Sequence, residues 1–147
     1  MRHSPLRALV PPLLLLATLA TAPLAAGEPV VIVNLQSGVE RLTHDDVTNL
    51  FMGRQKRLPS GLVALPVEQA QPASTRARFY QLLVKKDLPD INAYWARLFF
   101  SGQAQPPRQV ASAAEVLELV AGNKGAIGVI DGALVDRRVR VVMEFGR

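Results

Sequence analysis

No cysteine occurs anywhere in this 147-residue chain, and it has only one tryptophan, two tyrosines and two histidines. The missing thiol excludes disulfides, thiolate metal sites, a cysteine nucleophile and a lipid-modified cysteine. The two histidines, His3 and His44, lie far apart in sequence, and His3 falls in the export segment read below. A multi-histidine zinc site is therefore excluded, and a carboxylate-only site would need a hard ion such as calcium or magnesium. Asp45 and Asp46 are adjacent, so on a helix their side chains diverge by about 100°. They read as helix-start acids rather than as metal ligands. There is no G-x-S-x-G elbow, no G-x-G-x-x-G and no G-x-x-x-x-G-K-[ST]. A Ser-His-Asp hydrolase would have to rely on His44 at a helix start. These parts assemble neither an enzyme nor a cofactor site.

Charge of one sign is also in short supply. Seventeen Lys and Arg against twelve Asp and Glu leave +5. A nucleic-acid binder needs basic clusters interleaved with aromatics. The densest cluster, Arg137, Arg138 and Arg140, instead adjoins Asp136 and precedes an apolar strand. It reads as a solvated sheet edge of the kind that discourages aggregation, so no nucleic-acid partner is expected.

What is present starts with an address. Residues 1–9 carry Arg2 and Arg7 and no acid, residues 9–22 are almost wholly apolar, and small residues lead to Ala25-Ala26. That order is a signal peptide over residues 1–26. Pro11, Pro12 and Pro23 interrupt the apolar run, which is shorter than the roughly 20 residues of a membrane span. Removing 26 of 147 residues leaves 121, residues 27–147, and losing Arg2 and Arg7 lowers the charge from +5 to +3. With no second long apolar run, the product is expected to be released and soluble, without stable membrane insertion.

The remainder alternates strand and helix signals. Residues 30–33 are a continuous β-branched run, as in a strand buried on both faces. Thr43 and Asp46 form a capping box, Val47, Leu50 and Phe51 follow at helical spacing, and Gly53 stops that helix. A basic loop over residues 54–61 leads to a strand over 62–67. A polar loop, 69–73, precedes a helix starting near Ser74-Thr75 with Phe79, Leu82 and Leu83 buried. A further helix over 89–100 presents Ile91, Tyr94, Trp95, Leu98 and Phe99 on one face. Residues 103–111 read as an extended loop. Ser112 and Glu115 open a helix carrying Val116, Leu119 and Val120 to Gly122, and strands follow over 126–130 and 139–143. The fold class is α/β, one small domain with a mixed sheet flanked by helices.

The run Pro72-Ala73-Ser74-Thr75-Arg76 places small residues and hydroxyls at a helix start just after a strand. Free amides and the helix dipole make that an anion site, to which Arg76 or Arg78 would add charge-assisted bonds. Alternatively, Ser74 or Thr75 is simply an N-cap.

Residues Leu42-Thr43-His44-Asp45-Asp46-Val47 and Leu50-Phe51-Met52-Gly53-Arg54 resemble the L-T-x-D-x-(V/L)-x-x-(I/L)-F-x-G-(K/R) segment of phosphate-binding proteins of ABC importers. Gly125-Ala126-Ile127-Gly128-Val129 is similar to that family's G-A-I-G-Y strand, and residues 94–102 with Pro106-Pro107 look like its short, single-lobe members. The resemblance implies one lobe of a type II periplasmic binding protein over residues 27–147. It implies a non-enzymatic protein that holds phosphate or a similar oxyanion at Ala73, Ser74, Thr75 and Arg76. Its partners would be an ABC permease or a second copy of the chain. Three positions depart from the pattern: Glu68 stands where the family has an arginine, Pro72 removes a backbone donor, and Val129 replaces a tyrosine. Glu68 and the loop 103–110 motivate an alternative, a periplasmic protein-interaction module that kept the fold and lost the ligand.

Overall fold

A computed structural model describes residues 27–146. The signal peptide expected over residues 1–26 lies outside the described residues. Strand β1 (Pro29–Asn34) is buried along its whole length because Val30-Val31-Ile32-Val33 serves two cores at once. Successive strand side chains point to opposite faces. Val31 and Val33 accordingly join Ile127 and Val129 in one core, while Val30 and Ile32 join Ala126 and Ile130 in the other.

The chain continues through α1 (His44–Phe51), β2 (Leu65–Gln69), α2 (Ala73–Val84), α3 (Leu88–Phe100), β3 (Arg108–Val110), α4 (Ala113–Gly122), β4 (Ala126–Asp131) and β5 (Val139–Glu144). The five strands lie in the order β3-β2-β4-β1-β5. Pairing is parallel on the β3-β2-β4 side and antiparallel where β1 meets β4 and β5. Helices α1, α2 and α3 cover one face and α4 the other. The expected mixed sheet flanked by helices is what forms.

Local chemistry explains the helix ends. The Thr43–Asp46 capping box is reciprocal, with amide-to-oxygen distances of 2.9 and 3.1 Å. Asp87 caps α3 by accepting from the Asp90 amide, which leaves Pro89 in the first turn, where its missing N–H does no harm. Asn34, at the end of β1, donates to the Val120 and Ala121 carbonyls at 2.8 Å each and so ties α4 to the sheet. Alpha-4 also approaches β4 closely at Gly128, where a Cβ would sit 2.7 Å from Val116 Cγ1.

Several expectations need correction. The strand expected over 62–67 begins only at Leu65; residues 62–64 fold back on the basic loop, with Leu58 N–H donating to Leu62 O and Ala64 N–H to Lys56 O, both at 2.9 Å. An apolar run cannot by itself choose between those two strand-like partners. The extended loop 103–111 contains β3, which has two exposed residues out of three and hence no apolar periodicity to reveal it. Tyr80 rather than Leu82 completes the buried face of α2, and Leu117 rather than Leu119 that of α4. Phe99 is 56% exposed.

Candidate functional site

Strand β2 delivers the chain to the start of α2. After Gln69, the Ala70 amide donates to Val110 O at 2.7 Å, and the Gln71–Pro72 peptide is cis. Helix α2 then begins at Ala73 with Pro72 in the cap position, and no side chain caps it. Neither Ser74 nor Thr75 is the cap; both lie within the first turn. Ala73 and Ser74 are exposed, and Thr75 is half-buried with its amide 3.3 Å from Pro72 O. The first turn contains no acid. Its leading amides thus lie at the positive end of the dipole with no side-chain cap and no acid of their own turn to offset it.

Arg76 occupies a different environment. Its Nε donates to Glu68 Oε1 at 2.5 Å, and its terminal nitrogen donates to Asn92 Oδ1 at 3.3 Å. The guanidinium also lies 5.5 Å from the centre of the Tyr80 ring. The other carboxylate oxygen of Glu68 accepts from the Tyr80 hydroxyl at 2.8 Å, and Gln109 Nε2 donates to Oε1 at 3.2 Å. The Glu68 carboxylate thus accepts from side chains of α2 and β3, and from none of the first-turn amides of α2. Burial, then the adjacent Glu68 carboxylate and its hydrogen bond, hold the Tyr80 phenol well above its ordinary value of 10.0.

The structure therefore keeps Ala73, Ser74 and Thr75 together at an open helix tip and places Arg76 behind them in a neutralised pair. Tyr80, Asn92 and Gln109 were not foreseen. Tyr80 follows Arg76 by four positions, which is the helical spacing that puts both on one face, so part of the signal was available. Gln109 and Asn92 come from other elements and have no local signature.

The remaining candidates are structural. His44 is exposed, its ring edge-on to Phe145 at 6.4 Å, and Asp46 is spent on the capping box. Among the described residues, no group of three or more His, Cys, Asp or Glu side chains could hold a metal ion. Arg138 pairs with Asp136 at 2.8 Å and Arg140 with Glu40 at 3.9 Å, as a solvated sheet edge should. No helix among the described residues is long and apolar enough to cross a membrane.

No protein-family model and no curated protein matches the sequence. Solved structures do. An ABC-type phosphate transport receptor from Vibrio cholerae superposes with a TM-score of 0.62 at 18% identity, over 78% of this chain and 45% of its own. A Clostridium perfringens protein described as a phosphate ABC transporter substrate-binding protein, solved with bound phosphate, gives 0.61 at 18% identity, over 78% and 44%. PstS from Borrelia burgdorferi gives 0.53 at 12% identity, over 78% and 46%. The chain has the fold of a single lobe of these proteins and spans less than half of their length.

Proposed function

We propose that this chain is an exported, non-enzymatic solute-binding protein that takes phosphate or a similar oxyanion at the start of α2, in connection with ABC-type uptake. The observation that carries the reading is the open, acid-free first turn of α2 immediately after β2. The shared lobe fold supports it, because the proteins with that fold are named for phosphate transport and one was solved with phosphate. The amides of Ala73 and Ser74 and the hydroxyls of Ser74 and Thr75 supply the donors. Arg76 stands behind them, its charge offset by Glu68.

A one-sided site leaves most of the anion in water, where each charge contact is weak. The isolated chain is expected to bind with a Kd of about 1 mM, or about 4 kcal/mol. A permease or a second copy of the chain would supply the cover needed for tighter binding.

Calorimetric titration with phosphate, sulfate and related oxyanions tests this. Binding that Ser74→Pro abolishes supports it. That substitution deletes one first-turn donor at a position equivalent to that of Pro89, which α3 already tolerates. Absence of heat at about 10 mM anion, or heat that Ser74→Pro leaves unchanged in a folded variant, overturns it.

A further inference from the structure

A groove of about 790 Å³ runs between the 53–66 segment and the 102–108 loop, on the far side of Phe99 from Asn92 and Gln109. Val63, Phe99, Ala104 and Pro106 form apolar walls, and Lys56 and Arg108 stand at the rim. Ala73, Ser74 and Thr75 do not line it, so it is separate from the α2 tip.

Two features distinguish this surface. The first is apolar exposure: Val63 is 64% and Phe99 56% exposed, and neighbouring Phe100 reaches 87%. Such a cluster is uncommon on a face that meets only water. The second is charge of one sign. Segments 53–66 and 91–110 contain Arg54, Lys56, Arg57, Arg97 and Arg108 and not one Asp or Glu. All five cations are exposed, and among the described residues none is in an ion pair. Elsewhere Arg76, Arg78, Arg138 and Arg140 are all paired with acids. Among the described residues Arg41, Lys85, Lys86, Lys124 and Arg137 are in no ion pair either, so what sets this surface apart is that its two segments gather five cations and no acid around the exposed aromatics.

We propose that this groove is a docking site for an extended acidic segment of a partner protein that also carries apolar side chains. A concave wall of this kind receives an apolar side chain while the rim cations meet flanking carboxylates, giving both burial and electrostatic complementarity. A flat anionic membrane would meet the rim charges but leave the groove unfilled. The site stands independently of oxyanion binding at α2.

The molecule carries its own reporter. Trp95, the single tryptophan, lies beneath the groove: its Cη2 is 2.7 Å from where a Cβ on Gly53 would sit, and Ala104 is packed beside it. Titration of the chain with the peptide Glu-Phe-Asp-Leu-Glu should give a saturable change in Trp95 emission. Affinity should fall about tenfold in the Lys56→Glu/Arg108→Glu double variant, and should be unchanged in Ser74→Pro. Equal binding of the Gln-Phe-Asn-Leu-Gln peptide would overturn the proposal, as would no response to the acidic peptide. Binding to phosphatidylglycerol vesicles without a peptide response assigns the surface to a membrane and also overturns it. Should the double variant lose its fold, salt decides with the intact chain: peptide binding must weaken as ionic strength rises, and insensitivity to salt overturns the proposal.

Discussion

Glu68 and Arg76 form an ion pair inside the molecule, Nε to Oε1 at 2.5 Å, with their side chains only 1% and 10% exposed. A buried pair is held less by its own attraction than by the cost of leaving either partner alone. Glu68→Gln is therefore expected to destabilise the fold by about 3–5 kcal/mol, because it strands the Arg76 guanidinium in the interior. Urea unfolding checks this. The double variant Glu68→Gln/Arg76→Gln should lose much less than the sum of the two single losses, since it leaves no uncompensated charge.

Burial, and after it the same carboxylate, sets the alkaline behaviour of Tyr80. In the unfolded chain the phenol titrates near 10, and in the folded chain well above it. Above pH 10 the unfolded state gives up a proton that the folded state keeps, so unfolding becomes easier. Stability from neutral Tyr80 is complete below that pH and is lost as pH rises through the folded value. Tyr80→Phe should cost about 1.5–3 kcal/mol at neutral pH by removing a hydrogen bond to a charged group. The gap between variant and native protein should narrow above pH 10, at up to about 1.4 kcal/mol per pH unit. Chemical denaturation across that range measures both slopes.

These two residues also mark how far the sequence could be read. The strands with continuous β-branched runs, the capping box at Thr43 and the order of helices were legible because each is signalled locally, within a few residues. The helix tip at Ala73–Thr75 was legible for the same reason. Its electrostatic partner was not. Glu68 stands beside that tip in sequence and reads as a repellent to anions, yet its carboxylate turns inward to Arg76, Tyr80 and Gln109. That orientation depends on β3, and β3 has no pattern of its own: it exists because Arg108, Gln109 and Val110 find a parallel partner in β2. Tertiary pairing of short, exposed segments is the information that local periodicity lacks.

Asn34 offers a third test, between two elements distant in sequence. It is 6% exposed and donates to both Val120 and Ala121 carbonyls at the end of α4. Asn34→Ala leaves carbonyls that no other side chain among the described residues satisfies and is expected to cost about 2 kcal/mol. Hydrogen exchange should localise the effect. Amides in the last turn of α4 should lose protection before those of β1 and β4, because the anchor is severed at the helix and the strand ladder remains.

Gly53 joins the end of α1 to the tryptophan under the groove. Its φ is +74°, and a Cβ there would lie 2.7 Å from Trp95 Cη2 and 3.3 Å from Ala104 Cβ. Gly53→Ala therefore faces two separate penalties. The left-handed backbone is worth about 1–2 kcal/mol against any residue with a Cβ, and the indole, a rigid ring in a packed core, must move. The expected loss is about 2–4 kcal/mol in total, as in overpacked cores, with a shift in Trp95 emission. A thermodynamic cycle separates the two parts: in a Trp95→Phe background the ring edge recedes and only the backbone penalty should remain. If Gly53→Ala costs the same in both backgrounds, the indole does not abut Gly53 in solution, and Trp95 would no longer report on that groove.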